Sequence, residues 1–527
     1  MKRRDFLKRV APMSLLPFAI NGQPVRAYGK LLGSEAEAFT QTDKILVLVR
    51  LNGGNDGLNT LIPLDQYTNL TSARPDVIIP ESKVLPLSGI SGTGIHPAME
   101  KMKNMYDEGK MHILQSVGYP NQNYSHFRST DIWMTGADSD EILESGWMGR
   151  YLAEEWPNYP NGFPNEDMED PLAIQIGSVV SQVCQGPSVN MGFAISNPTN
   201  YYQLLTGNYP DAPAGWAGKE LDYVRTVARQ TNEYSVKIKA AAESATNLST
   251  LYPEDNSLAN QLKIVAQLIA GGLKTRVYIV QQGGYDTHAN QVDPVDSNET
   301  GYHAYLLQSL SEAINAFQDD IEKLKVDDRV LGMTFSEFGR RIISNASTGT
   351  DHGSSAPLFM FGSKVKSGMT GVNPTIPASV SARDNLEMQT DFRSIYSTIL
   401  QDWFCLDQAS SDNVLLQNFE KMDLLQAGCD TTSVQRDKNQ RAGDAYVTNY
   451  PNPFGASTTI KYFSAGGLIN ITIIDTHGRI VSSLVNSEIP RGTHEVVFDA
   501  AQLPSGTYYC QYQNGQIAQT RSLLKVR

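Results

Sequence analysis

Short apolar runs rich in Leu, Ile and Val alternate along this chain with segments whose apolar residues recur at helical spacing. The first run, residues 44–51, has little polar alternation, as expected of a strand buried on both faces. Similar runs occur at residues 111–117, 275–282, 329–336 and 357–362. Strands that alternate with helices over this length predict an α/β domain with a mostly parallel sheet and helices on both faces.

Helical spacing between these runs predicts the connecting helices. The predicted helices cover residues 96–108, 123–133, 219–245, 257–270, 302–324 and 390–403. The stretch from residue 156 to 216 is rich in Pro, Asn and Gly and has no clean period, so we interpret it as an insertion over one end of the sheet.

The composition describes a globular chain that is too long for one ordinary domain. It has 527 residues, of which 40% are hydrophobic and 19% charged. The formal net charge of −13 argues against nucleic-acid binding, which needs a basic surface. No apolar segment is long enough for a transmembrane helix, so no integral membrane segment is expected.

Both ends of the chain carry targeting features. Arg3 and Arg4, followed by Phe6-Leu7-Lys8, resemble a twin-arginine signal, and we interpret residues 1–27 as a signal peptide that directs export to the periplasm. An ordinary secretory signal or a basic solvated end are the alternatives. Residues 429–448 are polar and low in large apolar residues, which is typical of a linker.

Residues 449–527 form a final segment of short strands separated by glycine-containing turns. The predicted strands are residues 457–463, 468–475, 479–484, 494–498, 506–512 and 517–526. This spacing predicts a small all-β, immunoglobulin-like sandwich. We expect its core to contain Ile460, Ile471, Ile473, Val497 and Leu524.

Several motifs of this segment closely resemble the type A C-terminal sorting domain of the type IX secretion system. They are Y-P-N-P-F at 450–454, D-x-x-G-R at 475–479, G-x-H at 492–494 and L-x-S-G-x-Y at 503–508. The resemblance implies recognition by the type IX secretion machinery and delivery to the cell surface or the medium. An ordinary immunoglobulin-like module would have the same fold without the sorting role.

Four cysteines are spread thinly and show no C-x-x-C spacing, so a cysteine metal site is not expected. Cys405 and Cys429 are closest in sequence. In an oxidising compartment they are candidates for one disulfide, and isolated buried thiols are the alternative.

Carboxylates and imidazoles follow or precede the predicted strands of the large domain. Asp56 follows the first strand in a glycine-rich turn, where it either ligates a metal or caps the turn. Ser125 is placed at a helix N-terminus that can stabilise an anion, and Arg128 is suited to clamp a phosphate or sulfate.

The later strands add further candidate ligands. Asp286 and His288 follow the strand at 275–282, Glu337 ends the next strand, and Asp351 and His352 precede the last. Such residues at strand ends are typical of a metal site in the crevice above an α/β sheet.

The large domain resembles the DUF1501 family of exported proteins over residues 43–428. The matching motifs are N-G-G-N-D-G-L-N at 52–59, Y-P-x-x-x-x-S-H-F-R at 119–128, D-T-H at 286–288, S-E-F-G-R at 336–340 and T-D-H-G at 350–353. That family resembles the alkaline phosphatase/sulfatase superfamily, which implies a metal-dependent hydrolase fold.

The resemblance assigns roles by order along the chain. Asp56 corresponds to the first-strand carboxylate, Ser125 to the nucleophile, and Asp286 and His288 to two ligands of one metal. Glu337 takes the place of the superfamily's Asp-His pair.

Phe338 stands where a His of that pair is expected, and His352 is the final imidazole. Alternatively, Asp351 and His352 are themselves the pair. The implied cofactor is one or more divalent metal ions, such as zinc or calcium.

The sequence therefore predicts an exported, metal-dependent hydrolase acting on phosphate or sulfate esters of a small molecule or polysaccharide. The formylglycine mechanism of sulfatases does not apply, because Cys184 is followed by Gln-Gly-Pro-Ser and no cysteine begins the required signature. The alternative is a catalytically degenerate cell-surface binding or scaffold protein, which Phe338 favours.

Overall fold

The computed structural model divides the chain into two compact units, Met1–Cys429 and Asp430–Arg527. It describes residues 43–526 except 158, 161, 199–215, 294, 296, 427–428, 430–446, 451, 453, 465, 477 and 515–516. The predicted signal peptide and most of the predicted linker lie outside the described residues.

The first unit is built on strands that are mostly short and apolar. They are β1 Ile45–Asn52, β2 Leu61–Pro63, β3 Leu85–Pro86, β4 Thr93–Ile95, β5 Met111–Gly118, β6 Ala173–Ile176, β7 Gly192–Ile195, β8 Val277–Gly283, β9 Val330–Phe335, β10 Arg340–Asn345, β11 Gly349–His352, β12 Ala356–Phe361, β13 Gly368–Thr370 and β14 Thr390–Asp391.

Within the described chain, nine of these strands form one sheet in the order β13-β5-β12-β9-β1-β8-β6-β7, with β14 also paired to β5. Strand β1 is parallel to β8 and β9, with Leu46 opposite Val277 and Ile45 opposite Val330. Only β12 runs antiparallel to its neighbours, β5 and β9. The prediction of a mostly parallel sheet is confirmed.

Helices pack on both faces of this sheet, as predicted. They are α1 Gly57–Thr60, α2 Tyr67–Ala73, α3 Glu100–Asp107, α4 His126–Thr135, α5 Trp147–Glu155, α6 Trp216–Ser244, α7 Ser257–Ala270, α8 Tyr302–Lys323, α9 Phe392–Thr398, continued by a π-helical turn Ile399–Trp403, and α10 Gln408–Leu415. Among the described residues, no helix has both the length and the hydropathy needed to cross a membrane.

Strand β1 packs against a hydrophobic core on each face, which explains why apolar and polar residues do not alternate in its sequence. Val47 and Val49 belong to a core shared with α3, α7 and α8, whereas Leu46 and Leu48 belong to the core shared with α4, α5 and α9. Both faces of β1 are covered by helices, so apolar residues are stabilising on either face.

The segment at 156–216 is not only an insertion, and that part of the prediction is wrong. It contributes β6 and β7, which extend the sheet in parallel from β8. The structure also contains elements that the sequence did not predict, among them α5 and an antiparallel hairpin of β10 and β11. Cys405 and Cys429 form a disulfide.

The second unit is an all-β sandwich. Its strands are β15 Val447–Tyr450, β16 Ser457–Ser464, β17 Gly467–Ile474, β18 Ile480–Ile489, β19 Gly492–Asp499, β20 Gly506–Asn514 and β21 Ile517–Lys525. They form two antiparallel sheets, β15-β16-β19 and β18-β17-β20-β21. The predicted fold class of this unit is confirmed.

The expected core of the sandwich is partly wrong. Ile460, Ile471 and Ile473 are fully buried, but Val497 is 61% and Leu524 42% exposed. Their neighbours Phe498 and Leu523 fill the core instead. Since side chains alternate between the faces of a strand, this is an error of one residue in β19 and in β21.

Candidate metal centre

Strands β1, β5, β8 and β9 run in the same direction, so their carboxyl ends meet at one edge of the sheet. The segments that leave this edge carry His126 at the start of α4, Asp286 and His288 after β8, and Glu337 after β9. His352, at the end of β11, joins them. Ligand sites of open α/β sheets lie at such an edge.

Three donor atoms converge at one point of this edge. Nε2 of His288 lies 2.9 Å from Nε2 of His352. Oδ1 of Asp286 lies 3.2 Å from Nε2 of His288 and 3.1 Å from Nε2 of His352. The structure thus brings together three residues that the sequence proposed as ligands.

The partner of Nδ1 in each imidazole determines whether Nε2 of the same ring can bind a cation. Nδ1 of His288 lies 3.0 Å from Oδ1 of Asp351, and Nδ1 of His352 lies 2.8 Å from the carbonyl oxygen of Tyr124. Carbonyl and carboxylate oxygens only accept hydrogen bonds, so both Nδ1 atoms carry the proton. An imidazole that is neutral and has its proton on Nδ1 presents a lone pair at Nε2. Burial lowers the pKa of His352, which favours that neutral form.

Two nitrogen lone pairs and a carboxylate oxygen at such distances repel one another unless a proton or a cation lies between them. Around a tetrahedral divalent cation with ligand bonds of about 2.0–2.1 Å, neighbouring ligand atoms lie about 3.4 Å apart. The observed distances of 2.9–3.2 Å are close to this. The donor set therefore fits a divalent cation.

His126 belongs to the same centre. Its Nε2 lies 3.4 Å from Oδ2 of Asp286. One ligand atom each from His126, Asp286 and His352 lie within 4.8 Å of one another. Nδ1 of His126 lies 2.9 Å from Oε1 of Glu337, so that this third imidazole also presents Nε2 to the centre.

Glu337 is almost fully buried behind His126. Its Oε1 also accepts a 2.8 Å hydrogen bond from the backbone N–H of Gly53. Its Oε2 is buried and has no hydrogen-bond partner among the described residues. A buried bare carboxylate oxygen is costly, and a nearby cation would offset that cost.

Arg340 holds Asp286 in place. Its Nη2 lies 2.7 Å from Oδ1 of Asp286. Its nitrogens also donate to backbone carbonyls of Gly53, Gly54, Tyr285 and Thr350. Burial raises the pKa of the Asp286 carboxyl, but the hydrogen bond and the positive charge of Arg340 oppose burial, and the net effect is a lowered pKa. Asp286 is therefore ionised at any ordinary pH.

Two glycines after β1 let these loops approach one another. Gly53 has φ +128°, and a Cβ on it would lie 2.4 Å from the backbone nitrogen of Asp286. Gly54 has φ +84°, and its Cβ would lie 2.3 Å from the ring of Phe338. Phe338 is buried and packs against the rings of His126 and His352, with centroids 4.9 and 4.6 Å apart. Phe338 thus provides an apolar surface against which the His126 and His352 rings pack.

The substitution Gly53→Ala is expected to displace the loop of Asp286. The strained backbone alone costs about 1–3 kcal/mol of unfolding free energy, and the clash moves a metal ligand. Urea unfolding and metal titration measure the two effects. Gly89→Ala is the control, because Gly89 has φ +77° but nothing within 4 Å of its Cβ. Equal metal affinity in both variants would contradict a role for the close approach at Gly53.

The structure does not bring Asp56 to this centre. Its carboxylate is fully buried, forms an ion pair with Nη1 of Arg74 at 2.8 Å and accepts a 2.6 Å hydrogen bond from Nε2 of Gln291. It precedes α1 without capping the helix through its side chain. Both interpretations of Asp56 need correction: it is a buried structural carboxylate.

Arg128 also lies away from the centre. Its guanidinium pairs with Asp131 and donates to the backbone carbonyls of Asp138, Ser139 and Glu141. Its donors are used in holding that loop, so the prediction of an anion clamp needs correction. Ser125 lies between Tyr124 and His126, and its exposed hydroxyl makes no hydrogen bond to any described residue.

Comparison with known families gives two matches. Residues 211–415 match the family described as "Protein of unknown function (DUF1501)". Residues 448–526 match the "Secretion system C-terminal sorting domain". The first match lies within the first unit, Met1–Cys429, which we call the DUF1501 unit, and the second match lies within the second unit, which we call the sorting domain. No curated protein matches the sequence.

Solved structures resemble the chain only distantly. A protein of the alkaline phosphatase superfamily from Vibrio parahaemolyticus is 9% identical, with 93% of this chain and 91% of that chain covered and a TM-score of 0.35. The sulfatase PsFucS1 from Pseudoalteromonas sp. is 11% identical, with 87% and 84% covered and a TM-score of 0.32.

PorZ, a surface component of the type-IX secretion system of Porphyromonas gingivalis, is 22% identical. The match covers 15% of this chain and only 11% of PorZ, with a TM-score of 0.12. TM-scores this low assign neither activity nor partners to this chain.

Two residues of the DUF1501 unit are important at the centre but were not proposed as site residues from the sequence. The sequence patterns predict neither His126 nor Arg340 as a site residue. Both stand inside the quoted motifs, at 119–128 and 336–340. One sequence signal could have identified both residues: their motifs follow predicted strands, as Asp286 does, and therefore lie at the same edge of the sheet.

Proposed function

We propose that the DUF1501 unit binds a divalent cation through His288, His352 and Asp286 and hydrolyses a phosphate or sulfate ester outside the inner membrane. The convergence of three lone-pair donors, with the protons of both imidazoles directed away, carries this proposal. When bound, the cation supplies Lewis-acid polarisation of an ester oxygen.

The residues of this chain have distinct roles in the proposed site. Asp351 and the carbonyl of Tyr124 orient the two imidazoles, and Arg340 orients Asp286. His126 has Glu337 behind its Nδ1 and an available Nε2, which is the arrangement of a proton-transfer group.

Ser125 is proposed as the nucleophile because it stands at the N-cap position of α4, whose N-terminal N–H groups can stabilise an anion, and because its hydroxyl is exposed. The substitution Ser125→Ala is expected to reduce turnover of aryl phosphate or sulfate esters at least about 100-fold, since removing a nucleophile forces a slower route. Metal content should not change, because the hydroxyl is not a ligand. Unchanged turnover would show that water or another residue attacks the ester.

A non-catalytic binding protein is the second candidate. Phe338 cannot ligate a metal, and Arg340 already compensates the charge of Asp286. Under this alternative the cation holds the loops together but no ester is turned over. A screen of phosphate and sulfate esters with the metal-loaded protein separates the two functions.

The sorting domain implies export to the cell surface or the extracellular space. We propose that the route uses the twin-arginine-like signal at residues 1–27 and then the type IX machinery, which recognises residues 449–527. Cleavage in the polar linker at 429–448 would release the DUF1501 unit, because exposed polar linkers are preferred proteolytic sites.

Deletion of residues 449–527 is expected to trap the DUF1501 unit in the periplasm. The two units have separate hydrophobic cores, so the shortened protein should fold and bind metal. Cell fractionation followed by immunoblotting measures its location, with the full chain as control. Efficient appearance of the truncated protein on the surface or in the medium would contradict the sorting role.

A further inference from the structure

Arg50 is a charged side chain near the end of β1 that forms no ion pair with any residue that the structure describes. Its Nη2 donates two 2.8 Å hydrogen bonds, one to Oδ1 of Asn52 and one to Oγ1 of Thr130. Both acceptors are neutral. Among the described residues, no carboxylate oxygen lies within the 4.0 Å of an ion pair with Arg50.

Three other arginines near this sheet edge form ion pairs with carboxylates. Arg74 pairs with Asp56, and Arg340 pairs with Asp286. Arg128, which the sequence suggested as an anion clamp, pairs with Asp131. Arg50 is attracted by Glu337 only from a greater distance, and burial lowers the pKa of its guanidinium. A partly desolvated guanidinium without a counter-ion is an unsatisfied charge.

The position of Arg50 places this charge beside the metal centre. Thr130 lies one helical turn after His126 on α4. Asn52 directly precedes Gly53, whose N–H binds Glu337. The guanidinium is thus fixed to the two elements that position His126. Its Nε and Nη1 make no hydrogen bond to a described residue and are not enclosed, so they can donate to a ligand.

We infer that Arg50, held by Asn52 and Thr130, forms an oxyanion subsite beside the metal centre. It binds an anionic oxygen group of the ligand through its outer N–H groups, whose planar arrangement matches phosphate, sulfate or carboxylate. This inference deepens the proposed function and rests on it for the neighbouring cation. It assigns to Arg50 the recognition that Arg128 cannot supply.

The test measures the affinity of the full-length, metal-loaded protein for inorganic phosphate by calorimetry. Arg50→Met keeps the apolar stem and removes the charge, and it is expected to weaken phosphate binding at least about tenfold, the usual effect of losing one charge-assisted contact. Arg50→Lys should give an intermediate affinity. Arg229→Met, at an exposed arginine of α6, should bind phosphate like the wild type.

Two outcomes overturn the inference: wild-type affinity in Arg50→Met, or in Arg50→Lys if the first variant does not fold. Metal analysis of the same samples separates this result from the proposed function. If the wild type binds no cation, the proposed function fails. The inference about Arg50 is still tested in that case, because it predicts that the metal-free protein loses phosphate affinity when Arg50 is replaced. Unchanged metal content with weakened phosphate binding supports the subsite.

Discussion

Replacing Arg340 by methionine is expected to destabilise the DUF1501 unit by at least about 3 kcal/mol of unfolding free energy, because each buried polar group left without a hydrogen-bond partner costs about 1–3 kcal/mol. Arg340 is 1% exposed and joins the loops after β1 and β8 to the hairpin of β10 and β11. Its loss leaves four buried carbonyl oxygens without this donor and removes the partner that holds Asp286.

Urea unfolding followed by tryptophan fluorescence measures this loss. The neighbouring Arg341→Met is the matched control, because Arg341 is only partly buried and lies over the ring of Tyr124 at 5.1 Å. We expect the control to change the unfolding free energy by less than about 1 kcal/mol, as is usual away from buried networks. Equal stability of the two variants would contradict the conclusion that Arg340 holds these loops together.

The sequence predicted the central strands well because their environment leaves a clear pattern. Strands β1, β5, β8 and β9 are buried on both faces over most of their length, and the first four residues of each are mostly apolar. Strands β6 and β7 have only four residues each, are the last two strands at one side of the sheet and lie inside a segment rich in turn-forming residues. Such short runs carry too little periodic signal to be distinguished from loops.

The two errors in the sandwich core have one physical origin. Val496, Val497 and Phe498 are consecutive apolar residues, as are Leu523 and Leu524. Where neighbouring positions are both apolar, the sequence does not show which one faces the core. Pairing with the adjacent strands decides the register, and that pairing is non-local.

The sequence predicted which types of residue form the candidate site, but not which residues pair with one another there. Asp286, His288 and His352 stand in strand-end motifs, and the structure brings them together. Asp56 and Arg128 stand in equally suggestive motifs, but each pairs with an opposite charge instead. Which carboxylate meets an arginine depends on loop packing, which the sequence does not display.

Removing both imidazoles of the centre, by His288→Ala with His352→Ala, is expected to abolish cation binding. Four-ligand zinc sites supply about 10–16 kcal/mol, or roughly 3 kcal/mol per ligand, so two lost ligands weaken affinity on the order of 10⁴-fold. Asp351→Asn should have a smaller effect of about 10–100-fold, because Asp351 only orients His288. Competition with a coloured chelator measures these affinities.

Metal analysis of the purified mature protein by mass spectrometry tests the central claim most directly. The account predicts at least one divalent ion per chain in the wild type, none in the His288→Ala, His352→Ala double variant, and an unchanged content in His494→Ala. His494 is the control because it belongs to the sorting domain and its Nε2 contacts the carbonyl of Pro490. A wild-type protein that is folded and free of metal, even after incubation with zinc, would contradict the account.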